Sequence, residues 1–204
     1  MNKLIIVFCA LLLASCSVGP TNRDAPAIYD FGVSRAQPSG LPPIRASVLV
    51  NNVAAPGWLD TVGIVYRLNF QDAARLQTYA YSRWAAAPAL LLTQRLRSQL
   101  TAASEGRITA FSDGARADYA LSVELDEFSH TFDSAEASRA VVVARASLVN
   151  IARRSILAQK SFSVERAAVT ANAEGGVRAL AGAGDELIDA VVAWVTASTA
   201  QGNK

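Results

Sequence analysis

The first residue able to do distinctive chemistry is Cys16. It closes the sequence Leu13-Ala14-Ser15-Cys16, behind a positive Met1-Asn2-Lys3 and an unbroken apolar run of ten residues from Leu4 to Leu13. A run of that length is too short to span a bilayer, which takes about twenty residues, but it fits the hydrophobic stretch of a secretory leader. A thioether to diacylglycerol needs a cysteine thiol, and the peptidase that follows needs small residues just before it. These four positions have the form of a lipobox. An ordinary secretory leader that happens to carry a cysteine is the plainer alternative. Cleavage before Cys16 removes residues 1–15, Cys9 included, and leaves a mature chain whose one thiol is acylated. No disulfide could then form in the oxidising compartment. Each buried lipid methylene contributes about 0.8 kcal/mol, so two or three acyl chains attach the protein durably to a membrane.

The remaining candidates for chemistry are few. His130 is the single histidine, with Asp126 and Asp133 nearby in sequence. No G-x-S-x-G elbow or oxyanion-forming glycine loop accompanies it. Its setting, Phe128-Ser129-His130-Thr131-Phe132, reads as a strand end or loop, with the imidazole in solvent. Gly182-Ala183-Gly184 lacks the Lys-Ser/Thr of a phosphate loop. One His and two Cys in 204 residues exclude a Cys/His zinc site. Nineteen Lys plus Arg against 17 Asp plus Glu, a formal charge of +2, argue against nucleic acid as a partner. Apolar residues at 51% exclude disorder. The expectation is a protein with no cofactor, no metal and no enzymatic activity.

The elements that must position these residues follow from periodicity. Residues 16–27 are a lipidated cysteine and a polar, Pro/Gly-bearing tether; residues 28–204 form one domain. Short strands are expected at Ile28–Gly32, Ile44–Val50 and Val62–Leu68, with loops through Pro38-Ser39-Gly40 and Pro56-Gly57. Around Leu76–Trp84, the side chains of Tyr79, Tyr81 and Arg83 fall on one side of an extended segment. Pro88 opens a helix carrying Leu92, Leu96 and Leu100, which ends before Gly106. Tyr119, Leu121, Val123 and Leu125 alternate with polar residues as in a half-buried strand. Ala140–Ile151 and Ile156–Glu165 flank a short hairpin connection. Glu186–Ala197 is a C-terminal amphipathic helix, with a break expected where Gly175-Gly176, Gly182 and Gly184 precede it. Strands, helix, strands and helix in that order predict an α+β fold, a mainly antiparallel sheet with two principal helices packed on it.

Several pieces in order resemble a known family. Tyr29-Asp30-Phe31-Gly32 follows the lipobox. Ile44–Val50 comes next, and Trp58-Leu59-Asp60 leads into Ile64-Val65-Tyr66-Arg67. Ser82-Arg83-Trp84-Ala85 then precedes Pro88-Ala89-Leu90. Together these resemble the ABC-type transport auxiliary lipoproteins, the family of the paraquat-inducible auxiliary lipoprotein. The specific residues lie in the first half, and Phe31 stands where the family often has Leu. The resemblance implies an accessory subunit of a mammalian-cell-entry (MCE) type lipid transport system, paired with an ABC transporter and docking an MCE-domain protein. A homo-oligomer matching a symmetric MCE assembly is also implied. Ser17, where Asp tends to mark inner-membrane retention, favours the outer membrane facing the periplasm.

Trp, Tyr and Arg dominate interface hot spots, so Tyr66, Arg67, Arg83 and Trp84 are the candidate partner-binding residues. The plainer alternative is a core Trp with surface arginines. Ala140–Ile151 is apolar on both faces, with Val141, Val143 and Val149 on one and Val142, Ala144 and Leu148 on the other. That suits a central strand covered on both sides, by helices or by a neighbouring subunit. It also suits a lipid-binding or envelope-assembly lipoprotein that carries acyl chains in a cavity of its own. A carrier requires an enclosed apolar cavity, a docking module an exposed apolar patch, and an enzyme a polar cleft at His130.

Overall fold

The computed structural model describes residues 25–33, 42–104, 107–110 and 113–202. Cys16 with the leader, the tether to residue 24, the segment 38–40 and Gly106 lie outside them. The described chain runs β1 (Ala27–Tyr29), β2 (Val48–Val50), β3 (Gly63–Leu68), the single-turn α1 (Asn69–Asp72), β4 (Ala73–Trp84), α2 (Pro88–Ala103), β5 (Ile108–Thr109), β6 (Tyr119–Phe132), β7 (Ser138–Asn150), β8 (Ser155–Ala167) and α3 (Ala173–Gly202).

The long strand β6 is the spine of an eight-stranded sheet. β7 lines one edge of it in antiparallel pairing from Tyr119↔Asn150 to Phe132↔Ser138, and β8 pairs with β7. The other edge is shared. Its start takes β2 in parallel, Val48↔Tyr119, and its end takes β3 in parallel, Tyr66↔His130. The loop between β2 and β3 fills the interval, with Ala54 N–H donating to Val123 O at 2.9 Å and Leu125 N–H to Ala54 O at 2.8 Å. β5 extends the sheet beyond β2, and β4 then β1 extend it beyond β3.

The α+β class is as expected. The sheet is mixed, however, because β1, β2, β3 and β5 all join neighbours in parallel. Every parallel pair joins strands that are not consecutive in the chain, whereas the tight connections β3–β4, β6–β7 and β7–β8 are antiparallel, because a short turn can only reverse the chain.

β6 alternates as its sequence predicts up to Leu125, but continues to Phe132. A bulge between Leu125 and Glu127 inserts one residue and shifts the alternation. Phe128, His130 and Phe132 therefore stay on the inner face with Leu121 and Val123, and Glu127 turns outward. That inner face packs under α2 and α3. Its centre is an aromatic trio, with Phe31–Trp84 centroids 5.7 Å apart, Phe31–Phe128 5.9 Å and Trp84–Phe128 5.9 Å.

α3 is one unbroken helix, not one interrupted at its glycines. Val177, Leu180, Ala183, Leu187, Ile188, Val191 and Val195 are all buried at helical spacing. Tertiary packing of that stripe outweighs the roughly 1 kcal/mol that a glycine costs a helix. Among the described residues no helix is long and apolar enough to cross a membrane.

Candidate functional site

β4 is where most of the candidate residues lie, and an irregularity in it decides which way they face. Gly63 pairs with Arg83, but Val65 pairs with Thr78, so Ile64 alone stands opposite residues 79–82. The surplus flips the alternation of β4. Tyr79 turns inward, half-buried, while Tyr81 and Arg83 are exposed and Ser82 and Trp84 are buried. Tyr79, Tyr81 and Arg83 thus do not share a side, contrary to expectation. A regular strand would have placed them together; the bulge does not.

Trp84 is 1% exposed, in the aromatic trio beneath the helices. It pairs in register with Tyr29, and its N–H donates to Val62 O at 2.7 Å. Tyr66 lies on the inner side, stacked on Tyr79 with centroids 4.6 Å apart, its hydroxyl donating to Gln77 Oε1 at 3.0 Å. Arg67, one residue on, faces outward. Its guanidinium pairs with Glu127 at 3.1 Å, donates to Ala73 O at 3.2 Å and lies over the Trp58 ring at 5.4 Å. Arg83 makes no ion pair among the described residues and sits beside Ile28 in register. The four candidates are therefore divided between core and surface, with Arg67 and Arg83 at the surface.

Trp58 entered the sequence reading only through the family resemblance, not as a partner-binding candidate, and Glu127 did not enter it. Trp58 follows Pro56-Gly57, where Leu59 N–H donates to Pro56 O at 2.8 Å in a turn, and that turn lays the indole under Arg67. Glu127 faces outward only because of the bulge in β6, which alternation alone conceals.

His130 corrects an expectation. It is fully buried in β6, not in a solvent-exposed loop. Its Nδ1 shares a hydrogen bond of 2.8 Å with the Tyr79 hydroxyl, its ring lies 4.5 Å from Phe132, and Nε2 is buried without a partner. Burial lowers its pKa from 6.5 to about 4. Burial, followed by the neighbouring Tyr66, pushes the Tyr79 phenol well above its ordinary value. Both groups are neutral at pH 7, and the imidazole packs between Tyr79 and Phe132.

The segment Tyr29-Asp30-Phe31-Gly32 is a folding device. Gly32 has φ +68°, which a side chain rarely adopts, and its N–H donates to Asp30 Oδ1 at 2.7 Å. The turn drives Phe31 into the core. Arg95, buried on α2, then donates to Phe31 O at 2.7 Å and Gly32 O at 2.8 Å and lies 3.4 Å from Asp185 on α3. Beside this turn, β1 and the first half of α3 border an open groove of about 860 Å³.

The outer face of β6 and β7 carries Arg145 paired with Glu124, and Arg139 paired with Asp133 and with Glu165 at 3.1 Å. Val141 and Val143 between these pairs, and Val149 beyond Arg145, are half-buried, and the two long helices lie on the opposite face.

Residues 29–192 match the family model of the ABC-type transport auxiliary lipoprotein component. The chain belongs to this family. It is thus a lipoprotein of the cell envelope, from a family that serves ABC-type transport as an auxiliary component. A crystal structure of a Xanthomonas campestris protein is similar, with a TM-score of 0.76 at 20% identity, covering 87% of this chain and 98% of that one. A second, described as an uncharacterized protein, gives 0.63 at 18% identity, over 83% and 97%. The PelC dodecamer of Paraburkholderia phytofirmans gives 0.46 at 15% identity, over 79% and 96%. At these identities the likeness concerns the fold alone. A comparison with curated proteins returned no match.

Proposed function

We propose that this auxiliary lipoprotein is the non-catalytic docking subunit of an MCE-type ABC lipid transport system. It is held by acylated Cys16 on the periplasmic side of the outer membrane. The observation that carries the docking role is the outer sheet face. There Arg67 is presented on Trp58 and braced by Glu127, and Val141, Val143 and Val149 stand half-exposed with no helix over them. An aromatic-backed arginine beside uncovered valines is an interface composition, with the side-chain freedom of Arg67 already restricted before any partner arrives. His130, the one acid–base candidate of an enzymatic reading, is fully buried and so lends that reading no support. The MCE partner rests on the resemblance of Ile64–Arg67 and Ser82–Ala85 to the family. The outer membrane rests on Ser17.

In this reading Arg67 meets the partner, Tyr66 and Trp84 hold the strands that aim it, and homo-oligomerisation covers the β7 valines. The test is a pull-down of the acylated protein in detergent with the periplasmic part of the cognate MCE protein. A specific complex of defined stoichiometry, weakened at least tenfold by Arg67→Ala, is the expected result. An absence of binding, with lipid co-purifying on the domain alone, would replace docking by acyl-chain carriage.

A further inference from the structure

The two most exposed large apolar residues of the described chain meet at one groove, away from others such as Ile156. Val169 is 96% exposed, Val33 95% and Ile28 59%, and all three border the groove between β1 and the first half of α3. Tyr81, 67% exposed, lies two positions from Arg83, the register partner of Ile28. Two cations flank this surface, Arg83 beside Ile28 on the helix-free side of β4 and Arg166 on the side of β8 that meets α3. Arg83 and Arg166 make no ion pair among the described residues, and Arg166 lines the groove. The acids there are engaged: Glu174 pairs with Arg178, Asp185 with Arg95 at 3.4 Å, and Asp30 accepts from the Gly32 N–H at 2.7 Å.

We infer that this surface, around Ile28, Val33, Val169, Tyr81, Arg83 and Arg166, rests on the lipid bilayer. The inference depends on the reading of Cys16 as the lipidated residue. Cys16 is eleven positions before Ala27, the first residue of β1. Even fully extended, eleven residues reach no farther than about 40 Å, which is about the width of a domain of this size. The surface around the start of β1 is therefore kept within that distance of the membrane, whichever way the rest of the domain turns. Its composition fits that neighbour. Valine and isoleucine side chains enter the acyl boundary, tyrosine settles at headgroup depth, and unpaired arginines meet lipid phosphate. An apolar rim with free cations set at the tether's attachment has a bilayer to meet before any protein partner arrives. On this assignment Arg83 is a lipid contact, in contrast to Arg67.

The test uses the full chain made with its own leader. Mass spectrometry of the N-terminal peptide reads acylation of Cys16 directly, separating the fate of the anchor from that of the surface. The acylated protein is then reconstituted in vesicles of phosphatidylethanolamine and phosphatidylglycerol containing a doxyl-labelled lipid. A fluorophore is attached through Val169→Cys or, at the other end of β8, Ile156→Cys. At least threefold stronger quenching at 169 than at 156 is expected. The double variant Arg83→Glu/Arg166→Glu, checked for an unchanged Tm, should lose half or more of that difference, and vesicles of pure phosphatidylcholine should show the loss without mutation. Equal quenching at the two positions on a protein whose Cys16 is acylated overturns the surface and leaves the anchor standing. An unmodified Cys16 removes both. Quenching that ignores the arginine substitutions and the lipid charge overturns the role of the two cations.

Discussion

His130 sits on the inner face of β6 with Tyr79 on one side and the first turn of α3 on another. The imidazolium would there lose its hydration and face the positive end of a helix dipole. Its pKa of about 4 lies below the 6.5 of an exposed histidine, so the unfolded chain takes up the proton first. Stability therefore falls as pH drops from about 6.5 toward 4, by an amount on the order of 3 kcal/mol, and is flat above 7. Urea unfolding at pH 7 and pH 4.5 measures this slope. His130→Leu should remove most of it whatever that variant's absolute stability, and a slope unchanged in the variant would assign the acid sensitivity to other groups. At this scale the sequence was only half legible. Residue types at 128–132 do not distinguish a loop from a strand buried on both sides, because Ser129, His130 and Thr131 are polar yet nearly inaccessible. The burial comes from neighbours far along the chain, Tyr79 and α3.

α3 shows how an element overrides local propensity. Two of its glycines differ in what a methyl group would meet, and so predict opposite outcomes. At Gly176 an added Cβ lies 2.3 Å from His130 Nδ1, in a core with no room for the ring to retreat. Gly176→Ala should cost about 1–3 kcal/mol and lower Tm by several degrees. At Gly184 the nearest atoms are Phe31 Cε2 at 3.4 Å and Leu92 Cδ2 at 3.5 Å, which is ordinary contact. Gly184→Ala should remove a helix-interior glycine at little steric cost and raise Tm by about 2–4 °C, up to about 1 kcal/mol. Thermal melts of both variants check the pair, and a common direction of shift would refute it. Helices α2 and α3 and strands β6 and β7 were visible from periodicity because each buries a continuous face, and β8 from its apolar alternation and the hairpin before it. The bulges in β4 and β6 were not, because one surplus residue is set by pairing with a distant strand and leaves no mark in composition. Those bulges separate Tyr79 from Tyr81 and turn Glu127 toward Arg67, so the parts of the candidate site that sequence missed trace to two local shifts of register.

Over the whole molecule, one face of the spine is finished and the other is not. Val142, Ala144 and Leu148 are fully buried under α3, while Val141, Val143 and Val149 on the other side of the same strand stay half-exposed, the first two between charged pairs. A lone domain gains little from three valines there, and a polar residue would serve as well in a sheet with one face in water. Their presence is explained if the assembled protein covers them, which is the role proposed for homo-oligomerisation. The two roles separate by mutation. Val141→Lys with Val143→Glu adds opposite charges beside Arg139 and Arg145, keeps the inner core intact and should change the Tm of the isolated subunit by little, about 0.5 kcal/mol or less per position. If copies of the chain pack on this face, the same change buries two new charges in each interface and should return the complex to monomers in analytical ultracentrifugation. Assemblies of unaltered mass would mean that the valines are not between copies. A matching loss of MCE binding with assembly intact would assign the face to the partner instead. Arg67 lies on the same side of the sheet, on β3 beyond β6, so a pull-down with the double variant distinguishes a docking site formed within one subunit from one completed by its neighbour.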